Sequence, residues 1–363
     1  MKEAGEMEAL AIPFAAGAAA GLFVTGAGGM PAPAVFPLAV LTVLSLILPA
    51  GLSGKGQPYV SAVLFFLLGL FCQGSAALTG AFPERPPVLA VRACEALKRC
   101  IAAIPYPHGR SGALVQALLT GDRNGLDRET VTAFRSSGAS HILALSGLHL
   151  GLIYLLIRKV FSCIGNSPAA KRIRSLLTVG ATGFYALMTG AGASVVRAWL
   201  YICFSEAAVL SPGRRKEPAR ILLSALTVQL ALKPAVIGSV GFQLSYLAML
   251  GIAVLYPRLR DWYPAPRTRL ERADPMRRIW NAAALTLSCQ AFTAPLAWIR
   301  FHTFPKYFLL TNLLSLPLSS AVMMVSTLTI LLSACGICPD WLVGLDDALI
   351  SLLLTALETI STM

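Results

Sequence analysis

Phe308-Leu-Leu-Thr-Asn-Leu-Leu-Ser-Leu-Pro-Leu-Ser-Ser-Ala-Val-Met-Met-Val-Ser-Thr-Leu-Thr-Ile-Leu-Leu-Ser-Ala334 runs without one Asp, Glu, Lys or Arg. Coiled as a helix it would be about 40 Å long, more than the roughly 30 Å hydrocarbon core of a bilayer. Pro317 inside it does not veto a span, because neighbouring helices can satisfy the freed backbone groups. The rest of the chain has the same character. Of its 363 residues 56% are hydrophobic and 13% charged, with a mean hydropathy of +0.69. A soluble chain carries about 25% charged residues, so these are too few to cover a water-facing globule. A soluble enzyme, a disordered chain and a secreted disulfide scaffold are excluded. What remains is a polytopic membrane protein of formal charge +13.

Apolar runs predict about eleven spans: 9–27, 34–52, 58–80, 141–157, 175–190, 193–210, 219–235, 239–256, 280–299, 308–334 and 341–361. The fold class expected is an all-α transmembrane bundle with short amphipathic interfacial helices on its outer face. Its organisation reads as N-terminal spans over 1–80, an extracytoplasmic linker over 81–140, a core of further spans over 141–335 and a C-terminal span over 336–363. Basic islands orient it. Residues 158–174 hold five Lys or Arg, 211–220 hold four and 258–278 hold seven, each island two spans from the next. All three therefore share a face, the cytoplasmic one by the positive-inside rule. The N-terminus is then cytoplasmic and 81–140, with eight Lys or Arg, lies outside.

Met1–Glu8 carries three acids and one lysine, so no cleavable signal is expected and the first span serves as insertion signal. Cys335 and Cys338 have C-x-x-C spacing without a second pair, and no metal or other cofactor is expected. Cys94 and Cys100 share the outer segment. They would point apart on one continuous helix, and the sequence leaves their pairing open. In the same segment Asn124 is the expected N-cap of an amphipathic helix over 126–137, closed by Gly138, with a partner helix over 112–120. Both are expected in the membrane interface. There is no period-2 pattern that would build a β-domain.

Four patches break the apolar pattern. Asp122-Arg123 precedes Ser140 to His149, in which His141, Ser146 and His149 open a span. Polar groups there should face protein, water or ligand. Read as one helix, His141 and His149 are about 12 Å apart along the axis, too far for one metal ion. Ser146 and His149 are hydrogen-bonding neighbours, but no carboxylate orients the imidazole as a catalytic triad would require. No catalytic residue is therefore assigned, and pathway lining and helix packing both stand. Thr189-Gly-Ala-Gly-Ala-Ser194 turns the chain ahead of Arg197, which either snorkels to the interface or meets an anion, phosphate above all. Gly238 to Tyr246 offers Gln243, a candidate for interhelical hydrogen bonding. Pro295 to Asn312 contains Arg300, His302, Lys306 and Asn312. With the orientation above, all four patches open on the outer side. They form a positive vestibule suited to a polyanion.

Gly121-Asp122-Arg123, His141 to His149, Gly192-Ala-Ser-Val-Val-Arg197-Ala198, Gly241-Phe-Gln-Leu-Ser245 and Asn312-Leu-Leu-Ser-Leu-Pro317 resemble, in order, the competence domain of ComEC-type proteins. The resemblance covers about 110–330. It implies an inner-membrane channel passing single-stranded DNA to the cytoplasm during natural transformation. Asp122 and Arg123 would then fix the entry helices. His141, Ser146 and His149 would line the pathway with Gln243, Arg300 and Asn312, and Arg197 would contact phosphates. Two departures stand out. The loop after residue 80 is too short for the oligonucleotide-binding domain many members carry, and no H-x-H-x-D-H cluster is present for their metallo-β-lactamase-like nuclease. The expected protein is thus a channel and not an enzyme. Its partners would be DNA, membrane lipid, a separate nuclease and a DNA receptor. With no Walker-type loop in the chain, a cytoplasmic ATP-driven motor would complete the set. Two other classes stay open: a small-solute or ion transporter, and an intramembrane serine protease built on Ser146.

Overall fold

The computed structural model describes residues 87–362 except 166, 211–217, 265–273 and 303–304, together with six positions between 13 and 20. The expected spans 9–27, 34–52 and 58–80 lie outside the described residues but for those six. In chain order the helices are α1 (Val88–Ala102), α2 (Gly109–Thr120), α3 (Arg128–Ser136), α4 (Ser140–Leu143), α5 (Gly147–Val160), α6 (Pro168–Met188) and α7 (Ala193–Leu210). They continue as α8 (Pro218–Leu232), α9 (Val240–Val254), α10 (Tyr256–Arg260), α11 (Pro275–Phe301), α12 (Phe308–Ala334) and α13 (Asp340–Ser361). There is no strand among the described residues. The all-helical reading holds.

Helix starts follow local chemistry. Ser167 accepts from the Ala170 amide at 3.1 Å and Pro168 takes the first turn of α6, where its missing N–H costs nothing. Asp274 and Pro275 do the same for α11. The helix expected over 126–137 forms, but Asn124 does not cap it. Asp127 does, accepting from Thr130 N–H at 2.7 Å, because one carboxylate can reach that amide and also pair with Arg110 at 2.8 Å. Gly138 closes this helix in the left-handed region, φ 86°, as expected.

Among the described residues four stretches are long and apolar enough to cross a membrane: Gly147–Ile164, Ala193–Leu210, Pro275–Phe301 and Phe308–Ala334. Two shorter apolar helices, Ile221–Leu232 and Val240–Val254, accompany them. Hydroxyl groups within the long helices are tolerated because they return hydrogen bonds to the turn before, as Thr327 does to Met323 O and Ser288 to Ala284 O, each at 2.6 Å.

The chain divides into two compact units, one of residues 1–85 and 196–245, the other of 86–195 and 246–363. In the first, α7 and α8 bury Leu200, Ile202, Ala225 and Leu230. In the second, α9 meets α11 at backbone distance. A Cβ on Gly251 would lie 2.2 Å from Ser288 O, so only glycine permits the contact. The main core of this unit joins Ile101, Leu114, Val115, Leu118, Phe134 and Ile142 to Val322, Met323, Ile350 and Leu353. α2, one of the two helices expected in the membrane interface, thus packs its apolar face against α12 and α13, as does the C-terminal part of α1, while Val88, Leu89 and Val91 at the start of α1 stay exposed.

α13 buries Leu342, Ile350, Leu353 and Leu357 together with two acids, Asp346 and Asp347, at 0% and 4% exposure, while Trp341, Leu345 and Leu352 are exposed. Buried acids need hydrogen-bonding partners of their own.

Candidate functional site at the outer rim

Three segments of the second unit converge on the motif residues. Gly121, φ 79°, ends α2 where a Cβ would stand 2.6 Å from Leu145 Cδ1. The turn then presents Asp122, whose carboxylate takes Lys98 Nζ from α1 at 2.8 Å, the Asn124 amide at 3.1 Å and Gln116 Nε2 at 3.3 Å. The Lys98 ammonium, with the Asn124 amide next, holds the Asp122 carboxyl below the usual carboxylate range. Arg123 turns the other way and donates from Nε to Leu143 O at 3.0 Å, at the end of α4. Tyr185 on α6 donates to Leu119 O at 2.7 Å, closing the last turn of α2. Asp122 and Arg123 therefore tie these helices to one another.

His141 and His149 are not on one helix. The chain leaves helical geometry at Ala144 and re-enters at Gly147, because Ser146 is extended, φ −122° and ψ 173°, and caps α5. The expected continuous helix from His141 is thus corrected. Ser146 Oγ accepts from the Leu148 amide at 3.2 Å, and His149 Nδ1 accepts from the Ser146 amide at 3.2 Å. The two form a capping box with histidine where glutamate usually stands. His149 is buried and its ring also bonds the Ile142 backbone. A neutral ring that accepts at Nδ1 and donates at Nε2 satisfies both contacts. His141 is exposed, with Nδ1 3.2 Å from Gly138 O.

The rim is completed from α11 and α12. Pro305 abuts Gly138, where a Cβ would come within 2.5 Å of the proline ring, and Thr311 donates to Ser137 O at 2.7 Å. Arg300, in the last turn of α11, is exposed, as is Lys306. Asn312 Oδ1 and Ser315 Oγ are buried one turn apart on α12 with no hydrogen-bond partner recorded for either.

Arg197 and Gln243 belong to the first unit. Arg197 lies one turn into α7 and is buried, 8% exposed. Gln243 donates from Nε2 to Ile237 O at 2.9 Å and so ties the start of α9 to the turn before it. Cys94 and Cys100 are both on α1 as free thiols, six residues apart and facing different sides.

A second polar cluster was not legible from motif spacing. Asp346 takes Tyr106 Oη at 2.7 Å and Ser326 Oγ at 2.8 Å. Asp347 takes Ser111 Oγ and His108 Nδ1, both at 2.6 Å. The available signal was the pair of acids inside an otherwise apolar run.

An all-helical protein with membrane-length apolar helices and a hydrogen-bonded rim built from ordered motifs defines a class: a membrane protein of integral, multi-helix type. Within that class the chain belongs to the family described as Competence protein, which matches residues 118–363. The ComE operon protein 3 of Bacillus subtilis is 36% identical over 141 residues, 38% of this chain and 17% of that protein. The uncharacterized protein YcaI of Escherichia coli is 25% identical over 218 residues, 59% of this chain and 28% of that protein. The aligned parts are less than a third of either relative. No solved structure matches the fold.

Proposed function

We propose that this protein serves bacterial DNA uptake as the membrane core through which a single strand reaches the cytoplasm. The family match over 118–363 carries the reading, because it contains every motif that builds the rim. The surplus of cations supports it: eight in 81–140, with Arg300 and Lys306 elsewhere in the chain, would offer a polyanion counterion release. The proposed topology has about eleven spans, an inner-membrane location and a cytoplasmic N-terminus. Asp122 and Arg123 would hold the entry helices, His141 and Arg300 would present to the strand, and Arg197 would meet phosphate. Conduction and not hydrolysis is proposed for residues 1–363, with nuclease, receptor and motor functions supplied from outside them. Ser146 Oγ caps α5 and lies 2.9 Å from His149 Nδ1, but the ring also bonds the Ile142 backbone where a triad would have a carboxylate, which weighs against the protease alternative.

The test is uptake of labelled single-stranded DNA in cells deleted for the gene and complemented with wild type or Arg197→Ala. Loss on deletion, restoration by wild type and a deficit with Arg197→Ala at equal membrane abundance are expected. Undiminished uptake in the deletion, with competence otherwise intact, would overturn the reading.

A further inference from the structure

The segment expected outside the membrane reaches far down the membrane helices. Thr311 of α12 bonds Ser137 at the rim, while Ser326 of the same helix shares Asp346 with Tyr106. Fifteen residues separate those two levels of α12, a helical rise of about 22 Å. α1 and α2, of 15 and 12 residues, are about 22 and 18 Å long, the lengths needed to descend to that level and return. Their upper ends are fixed at the rim by Leu119 to Tyr185 and by Asp122. Their connection, residues 103–108, is the lower end, where Tyr106, His108 and the adjoining Ser111 meet the two acids of α13.

Two faces distinguish what surrounds this unit. The outer side of α13 shows Trp341, Leu345 and Leu352, the face of a helix in lipid. The other side shows charge: His108, with 68% of its side chain exposed, Arg110 at 49% and Glu129 at 80%. Arg110 bridges Asp127, Glu129 and Glu358, so the charges form a network over an open hollow of about 440 Å³ that Arg128 also lines. Exposed charges at membrane depth must be wet, and non-spanning backbone is tolerated there only where protein or water covers it.

We propose that α1 and α2 form a re-entrant hairpin that dips from the outer face about two-thirds of the way across the membrane. Its tip is latched by Asp346 and Asp347, and its exposed Pro107 and His108 face water. Four side chains complete the latch: Tyr106 and His108 from the tip, Ser111 from α2, and Ser326 from α12. Among the described residues His108 is the basic group within ion-pairing reach of the acids. The other neighbours on α2 and α3 are committed to the Arg110 network. This inference rests on α12 crossing the membrane and not on the DNA reading. Normal accessibility with no uptake phenotype would remove only the latter.

The test is thiol labelling of the full chain in sealed right-side-out vesicles. The modified residue is identified by peptide mass spectrometry, so native cysteines stay in place. Pro107→Cys at the exposed tip should react with a membrane-impermeant reagent added outside. Leu352→Cys, one helical turn beyond the acid pair on the lipid face of α13, should not. Equal reaction of both would mean that the unit stands outside the membrane, and reaction of Pro107→Cys only from within would reverse its entry. Either overturns the proposal. The latch is read by hydrogen exchange. Asp347→Asn and the milder His108→Gln should each speed exchange of the 104–111 amides roughly tenfold, with α5 unchanged. His108→Gln keeps the buried acid and so tests the latch even where Asp347→Asn does not fold. Unchanged exchange at the tip in His108→Gln would refute the latch.

Discussion

Gly138 and Gly190 form a matched pair for testing whether the rim is assembled as described. Both end helices with positive φ, 86° and 85°. Replacing either by alanine puts a Cβ into the left-handed region at a cost of about 1–2 kcal/mol. Their surroundings differ. At Gly190 the new methyl meets nothing within 4 Å, whereas at Gly138 it lies 2.5 Å from Pro305 Cβ and 2.7 Å from Pro305 Cγ. A proline ring has no rotamer to swing away, so the backbone at Pro305 must move. The link next to the clash is Thr311 to Ser137 O, at 2.7 Å and buried. Its loss leaves a buried carbonyl short of a partner, about 1–3 kcal/mol. Gly138→Ala should therefore cost about 2–5 kcal/mol against about 1–2 for Gly190→Ala.

Thermal unfolding of the purified protein in one detergent, with variants side by side, reads the difference directly. The midpoint for Gly138→Ala should fall by at least twice the drop for Gly190→Ala. Pro305→Ala should return part of the loss in the double variant, since it clears the ring atom Cγ, while leaving Gly190→Ala untouched. Equal drops for the two glycine variants would mean that α11 and α12 do not seat on the end of α3. The rim described above would then be wrong.

Ser146→Ala should destabilise by about 1 kcal/mol, the usual worth of an N-cap, and His149→Ala by at least as much, both seen as lower unfolding midpoints. Neither should alter cleavage of any transmembrane peptide, and loss of a wild-type proteolytic activity in Ser146→Ala would restore the protease alternative. The Asp122 carboxyl, depressed below its unfolded value, stabilises the fold above about pH 4 and loses that contribution as pH falls through its lower native value. Lys98→Met should flatten the acid limb of the stability–pH curve measured between pH 5 and 2, and an unchanged limb would show that the Lys98 pair is not formed. Tyr185→Phe should loosen the end of α2 alone, detected as faster hydrogen exchange at Leu119 to Arg123 with α11 unaffected.

How much of this was written in the sequence depends on the range of the interaction. The spans 193–210 and 308–334 match α7 and α12 end to end, because a long apolar run has few alternatives in either solvent. Gly138 as a helix stop was equally visible, since a left-handed closing residue is a local demand. The break at Ala144 was not. It turns on Ser146 adopting an extended backbone so that His149 can reach back, and a histidine in the glutamate position of a capping box gives a weak signal. Lys98 as the partner of Asp122 was hidden for a different reason. The two are 24 residues apart and meet only after α1 and α2 have folded back on each other.

The acid pair of α13 bears on how the segment 81–140 is read. Counting spans from the cytoplasmic islands places 81–140, with its eight cations, outside the membrane. Within that segment α1 and α2 are packed into the protein: Ile101, Leu114 and Leu118 are within 1% of fully buried, against α12 and α13. The two buried acids of α13 need partners of their own, and the turn between α1 and α2 with the start of α2 brings the tyrosine, histidine and serine that supply them. Cations on such a segment can be wet without lying at the surface, provided that water follows them down. For a polyanion the consequence is direct. Steering charge would then act along the descent as well as at its mouth, over a distance greater than the roughly 8 Å Debye length at physiological salt.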